Sequence, residues 1–394
     1  MLTPTTEITL TTSPTLGLVA IASGEKYATA HQALEDAGFT RLASGVHVFP
    51  LADDRDARST ASALMHQAHK HGVTVSPSRR PYLGDIGAEI AARLPGSWSA
   101  RLEVYSHPAW QEDLWPALWE GGEMFRALAE HRIPFASVLN NDVGTELLLI
   151  ERPGHREGYL IGALTEHEKE DVRRDPATPR STLLPTDVHL AAQTITHTFL
   201  PSLRRALHER DLNTVVDALA RIREEHETLE AIKASGRFSD GVPLRYAGLV
   251  DEFERDFADI AWISFARVLE HAPVLLGRCH PASTAWPEDA TALGRLRAAL
   301  ADSQDAWTQW NDLRRDLYSI PATLSHDEWS QVRGQLGLAV LPAIETWVAD
   351  SNAFERQARS AVPGGSVALS RPSPQLLATR PALPPASPAP TAHR

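Results

Sequence analysis

Four tryptophans, Trp98, Trp110, Trp115 and Trp119, crowd one stretch together with Arg101, Tyr105 and His107. Tryptophan and arginine dominate the residues whose loss most weakens protein–protein contacts, so the block is a candidate binding surface. Trp115 and Trp119 stand one helical turn apart, and Gly121-Gly122 leaves room beside them. The same residues also suit packing that seals an α/β core and its junction with a neighbour. Exposure of a pair decides between the two.

Metal and phosphate chemistry finds less support. His66, His69 and His71 stand close enough to share a metal, and His189, Gln193 and His197 recur at intervals of four. No carboxylate or cysteine completes the first set, and the His-Glu-x-x-His zinc signature is absent. The first group reads as histidines at an exposed helix end, the second as packing or surface polarity. Glu252, Asp256 and Asp259 share one side of a helix, but helical di-metal sites use Glu-x-x-His pairs. None occurs in the chain, so a solvated acidic face is expected, with no metal and no cofactor. The turn Ala22-Ser23-Gly24-Glu25-Lys26 resembles a phosphate cradle, yet Glu25 separates Gly24 from Lys26. It reads as a capping turn.

No catalytic residue can be named from spacing. The enzymatic alternative is a hydrolase or transferase with dispersed groups such as His107, Glu112, Asp142 and His226 converging in an interdomain cleft. A DNA-binding regulator would use Arg79-Arg80 with Arg93 and Arg101. A net charge of −12 argues against nucleic acid and anionic membranes as partners.

The text from Arg93 to Arg101 (Arg-Leu-Pro-Gly-Ser-Trp-Ser-Ala-Arg) and from His107 to Pro116 (His-Pro-Ala-Trp-Gln-Glu-Asp-Leu-Trp-Pro) resembles uncharacterised proteins of actinomycete genomes and mobile elements. The resemblance covers roughly residues 20 to 165 and implies no activity. It agrees with a basic complement in which only Lys26, Lys70, Lys169 and Lys233 are lysines, as in a high-G+C bacterium. Cys279 is the single cysteine, which fits a reducing cytoplasm. Met1 to Pro14 is threonine-rich without a secretory pattern, and no apolar run approaches a bilayer span of roughly 20 residues.

The elements that must position these residues fall into two halves. Residues 14–164 alternate strand-like and helix-like text: an apolar run at Leu16–Ala22, a hairpin from Phe39 to Pro50, alternation from Arg101 to Tyr105, and paired strands at 133–139 and 146–151. That predicts an α+β domain, a mostly antiparallel sheet with helices on one face. The helix-to-hairpin passages near Ala33–Phe39 and Ala127–Ile133 are compatible with an internal duplication. Residues 165–185 read as a charged, proline-bearing linker.

Residues 186–361 read as an antiparallel helical bundle. Its girder is Asp211 to Gly236, where Leu212, Val215, Leu219, Ile222, His226 and Leu229 form one seam at three-four spacing. Asp211 is the expected N-cap, after a turn at Glu209-Arg210-Asp211. His226 reads as a polar register-setting residue or a buried pH-sensitive group. Phe253, Phe257 and Ile260 are expected to face inward, and Ser325 with Glu328 predicts a capping box. The Pro/Ala-rich tail, 362–394, is expected to be disordered. The resulting expectation is a soluble, non-enzymatic protein-interaction or regulatory protein, meeting a protein partner or its own copies through the tryptophan block or its amphipathic helices.

Overall fold

The computed structural model describes residues 6–51, 54–119, 122–165, 178–237, 247–283, 285–319 and 325–361. The tail and most of the charged stretch after Thr165 lie outside them. Sheet text comes first: β1 (Glu7–Ser13), β2 (Gly17–Ser23), α1 (Tyr27–Asp36), β3 (Thr40–Arg41), β4 (His47–Phe49), α2 (Asp54–Lys70) and β5 (Thr74–Pro77). These strands form one sheet in the order β3-β4-β2-β1-β5, antiparallel except for the parallel pair β1–β5. The start expected at Pro14 is too late. β1 is a threonine-rich strand that buries Ile8, Thr11 and Ser13, and threonine suits a pleated surface.

A second sheet follows where one was expected. It is built from β6 (Trp98–Val104), β7 (Phe135–Asn141), β8 (Glu146–Glu151), β9 (Tyr159–Ala163) and β10 (Thr182–Leu184). Helices α3 (Leu83–Ala91), α4 (Pro108–Glu112) and α5 (Glu123–Glu130) precede and interrupt it. Its order β10-β9-β8-β7-β6 is an antiparallel meander. β10 lies inside the span read as a linker. The two helix-to-hairpin passages are wired differently: the second hairpin strand, β4, returns to β2, whereas the first, β7, returns to β6.

Helices lie on both sides of each sheet. Ile8, Leu18, Ala20 and Ala22 face α1 and α2, while Val19 and Ile21 face a central core. Leu139, Leu147 and Leu149 of the second sheet share that core, and Val138, Leu148 and Ile150 face α4 and α5 instead. Burial of both faces explains why β2 and β8 read as unbroken apolar runs. Gly87 of α3 sits so close to β7 that an added Cβ would fall 2.0 Å from the Ser137 hydroxyl.

Helical text occupies the rest: α6 (Val188–Thr194), α7 (Leu200–Ser235), α8 (Ala247–Arg278), α9 (Ala290–Asp302), α10 (Gln304–Ser319), α11 (His326–Ala339) and α12 (Leu341–Ser360). A π-turn at Ile195–Phe199 joins α6 to α7 and leads into Pro201, whose ring and missing N–H prevent an ordinary turn there. The expected break at 209–211 does not exist. α7 is continuous to Gly236, which closes it in the left-handed conformation at φ 59°.

This continuity ties the two halves together. Leu200, Leu203 and Ala206 pack in the central core of the sheets, while Leu212, Val215, Leu219, Ile222 and Leu229 pack with α8 in a separate helical core. The predicted seam is therefore filled within the chain. His226 is half-buried at its edge, with its ring 5.7 Å from that of Phe257. Ile260 departs from the inward stripe and is 42% exposed. The Ser325–Glu328 capping box is present. The run expected to pass through Pro342 breaks into α11 and α12, with Pro342 in the first turn of the new helix. Glu252–Arg278 alone among the described residues has the length and apolarity to cross a membrane, and 61% of its most apolar window is buried inside the fold, as in a core helix.

Candidate functional site

Two of the sequence-predicted binding residues, Trp98 and Arg101, lie on β6, and β6 is the outer strand of its sheet. Its register with β7 runs from Trp98↔Asn141 to Val104↔Phe135. Asp142 N–H donates to the Ser97 carbonyl at 3.3 Å, and Tyr105 N–H to the Pro134 carbonyl at 2.7 Å, so the ladder bonds fall on odd-numbered positions. In antiparallel pairing the backbone groups alternate sides. Trp98, Ala100, Leu102 and Val104 consequently turn their N–H and C=O groups outward, away from β7. No backbone hydrogen bond from another segment reaches them among the described residues. β7 beside it and α3 on its face pack along β6, and two turns of the first sheet reach its far end. The Gly24 N–H donates to the Ser106 carbonyl at 2.8 Å, and a Cβ on Gly45 would lie 3.8 Å from that of Val104, so the open stretch of edge ends at Val104.

The other three edges are blunted. β3 has two residues, β10 has three, and β5 ends in Pro77. Short or proline-bearing edges protect a sheet from strand addition. β6 has seven residues and no proline.

Side chains divide by face. Trp98, Ala100, Leu102 and Val104 lean against the central core, with the Trp98 indole N–H donating to the Pro95 carbonyl at 3.0 Å. Ser99, Arg101 and Glu103 occupy the other face. Arg101 reaches Glu103 at 3.1 Å and Glu146 at 2.8 Å, and the Tyr105 hydroxyl donates to Glu103 at 2.6 Å. The edge thus carries a positive and a negative group two residues apart, at the rim of the face that α4 and α5 cover, with Arg101 exposed and Glu103 half-buried.

The remaining aromatics disperse. Tyr105 is buried in the outer core with α4 and α5. His107 and Trp110 stand near Tyr27 of α1, with ring centroids 6.2 and 5.1 Å away. Trp115 packs edge-on against Phe125 at 5.1 Å. Trp119 is buried in the central core with Arg210 of α7 over its ring at 5.2 Å, which pins the helix to the sheets. None of the four tryptophans is exposed: Trp98, Trp110 and Trp115 are half-buried and Trp119 is buried, so adjacency in sequence produced separate packing contacts and no exposed aromatic pair.

The dispersed catalytic set does not share hydrogen bonds among the described residues. Glu112 and Asp142 are exposed, Asp142 lies in the β7–β8 turn, and His226 lies in the helical core's rim. Of the arginines weighed for DNA, Arg80 donates to the carbonyls of Gly158 and His155 and to that of Arg152, Arg93 to the Glu89 carbonyl, and Arg101 to carboxylates; Arg79 is exposed. The Gly24 amide of the supposed phosphate turn donates to Ser106 O at 2.8 Å. His66 and His69 are exposed, while His71 pairs with Asp36 at 2.9 Å. His189 bonds Gln193 at 3.0 Å on an exposed face, where His197 is exposed too. Asp259 leaves the acidic face to bind Arg333 at 2.5 Å and Ser330 at 2.6 Å, whereas Glu252 and Asp256 are exposed. No group of three or more metal-ligating side chains forms among the described residues.

Two buried polar clusters escaped the sequence reading. His31 of α1 and His47 of β4 meet at 3.4 Å, 8% and 0% exposed. Burial, then Arg41, pushes the His31 imidazole down to about 4; burial, then His31 and Arg41, does the same to His47. Both are neutral ligands of one another at neutral pH. In the helical core Asp211 bonds His271 at 2.9 Å, and the neighbouring His208 bonds the Ala358 carbonyl at 2.9 Å and Arg278 at 3.1 Å. Burial holds the Cys279 thiol up at about 11, so it is protonated and unreactive. No local pattern marks these residues, because each partner lies on a distant element.

No family model matches the chain, and neither does any curated protein or solved structure compared with it.

Proposed function

We propose that this chain is a protein-interaction module that receives an extended strand of another polypeptide chain along β6. One observation carries the reading: a seven-residue edge strand with the outward backbone groups of Trp98, Ala100, Leu102 and Val104 open, in a fold whose other edges are short or end in proline. Main-chain bonds supply affinity in such an addition, and alternate side chains supply selectivity. Here those are the exposed Ser99 and Arg101 and the half-buried Glu103. The long helix α7 runs from the core shared by the sheets into the helical core.

A peptide-display library panned on the immobilised chain tests it, with the Ala100→Pro variant as counter-target. The Ala100 N–H points outward, so proline there removes an edge donor and leaves the β7 ladder intact. Peptides of extended, alternating pattern held by the parent and lost by the variant support the reading. A selection that yields no peptide distinguishing the two, from a parent chain that is monomeric under the panning conditions, overturns it.

A further inference from the structure

Resting on that reading, we infer that the strand received by β6 is β6 of a second copy of this chain, added antiparallel about a two-fold axis through Leu102. Charge and hydrogen-bond complementarity along the edge select this partner and this register. Only even-numbered residues of β6 present outward bonds, so an isologous pairing must join even positions to even positions. Centring it on Leu102 pairs Ala100 with the partner's Val104, Leu102 with the partner's Leu102, and Val104 with the partner's Ala100. These are three hydrogen-bonded pairs, and the small Ala100 faces a β-branched side chain each time.

The intervening odd positions decide the register. With the axis at Leu102, Arg101 stands opposite the partner's Glu103, and Glu103 opposite the partner's Arg101. Opposite charges directly across an antiparallel pair stabilise it, and like charges destabilise it. Moving the axis to Arg101 would place Arg101 against the partner's Arg101, and moving it to Ala100 would leave Arg101 against the partner's Ser99. The Leu102 register is the one that satisfies both charges. Arg101 already holds Glu146 at 2.8 Å and Glu103 of its own chain at 3.1 Å, so the partner's Glu103 would join an existing ion-pair network. Its side chain is 48% exposed and that of Glu103 24%, which leaves them reachable across the axis. Two five-stranded sheets would then join into one sheet of ten, and both open edges would disappear.

Sedimentation equilibrium on the full chain, with Arg101→Glu, Glu103→Arg, the double exchange and Ala100→Pro, tests this inference. The expected result is a dimer for the parent. Each single reversal turns two favourable pairs into two repulsive ones and weakens the dimer by about tenfold or more. The double exchange restores the opposition of signs across the axis and binds more tightly than either single reversal, short of the parent because the exchanged carboxylate then faces Glu146 of its own sheet, and Ala100→Pro gives a folded monomer. A parent that is monomeric up to about 100 µM, or a double exchange no better than the single reversals, overturns the inference. Should Ala100→Pro fail to fold, the charge exchange still decides. A monomeric parent that selects Ala100-dependent peptides from the library ends the self-pairing alone; one that selects none ends the edge reading as well.

Discussion

Asp211 of α7 and His271 of α8 meet at 2.9 Å, 4% and 6% exposed, at the level where α7 leaves the sheet core for the helical core. The carboxylate sits within a helix, inside a bundle, hydrogen-bonded to a ring on the neighbouring helix. His208, three residues earlier on α7, is held by Arg278 and by the last turn of α12 through Ala358. These polar contacts link α7 to α8 and α12 through directional bonds inside the bundle.

Replacing His271 with leucine leaves the Asp211 carboxylate buried beside an apolar side chain. A loss of about 3 kcal/mol in unfolding free energy is expected in urea titration. Asp211→Asn retains an acceptor for the ring N–H and should lose less. Equal losses in the two variants would show that the pair contributes only through packing.

His31 and His47 predict an acid-labile sheet layer. Their folded values of about 4 lie below the ordinary imidazole value of 6.5, so between these limits the unfolded chain binds more protons. The stability attached to both rings is complete above about pH 6.5 and falls as the pH drops toward 4. The urea midpoint should decline over that window. A His31→Gln, His47→Leu double variant should decline less steeply, and an identical slope would count against the pair as the acid-sensitive element.

Gly337 of α11 lies where a Cβ would come within 2.0 Å of the Ala258 carbonyl oxygen of α8. Backbone on backbone cannot yield as a side chain does. Gly337→Ala is expected to push the helices apart and cost about 2 kcal/mol, seen as a lower thermal midpoint, despite alanine's better helix propensity. Gly294, with nothing within 4 Å of the added methyl, is the control, and Gly294→Ala should be neutral or stabilising.

Arg80 gathers the carbonyls of Arg152, His155 and Gly158 and lies 3.6 Å from Glu151, tying the segment after β5 to the β8–β9 turn. Arg80→Met keeps the aliphatic stem and removes the donors. Amides of residues 152–158 should then exchange faster with deuterium while those of β7 stay slow. Unchanged exchange in the turn would mean that it is held by other contacts.

What the sequence made legible follows from what is local. The seam of α7, the hairpin between β7 and β8 and the Ser325–Glu328 cap depend on residues within a few turns of one another, and they stand as read. The α+β half followed by a helical half stands too. What failed depends on distant partners. Glu209-Arg210-Asp211 looks like a turn because three polar residues interrupt an apolar pattern, yet Asp211 is satisfied by His271 and Arg210 by the face of Trp119. The tryptophan block looked like one site because its members are neighbours in the text; β6, α4 and the segment after it carry them to separate faces. That β6 is an edge was unreadable, since strand order is settled by β7 to β10, long after β6 is written.

Residue-resolved amide exchange in β6, followed from dilute to concentrated protein, tests the strand-edge account most directly. The account predicts slow exchange at Ser99, Arg101 and Glu103 throughout, and fast exchange at Ala100, Leu102 and Val104 in dilute protein that slows as concentration rises. Outward amides that exchange at one rate at every concentration, or that are as protected as the inward ones in the dilute limit, would contradict it.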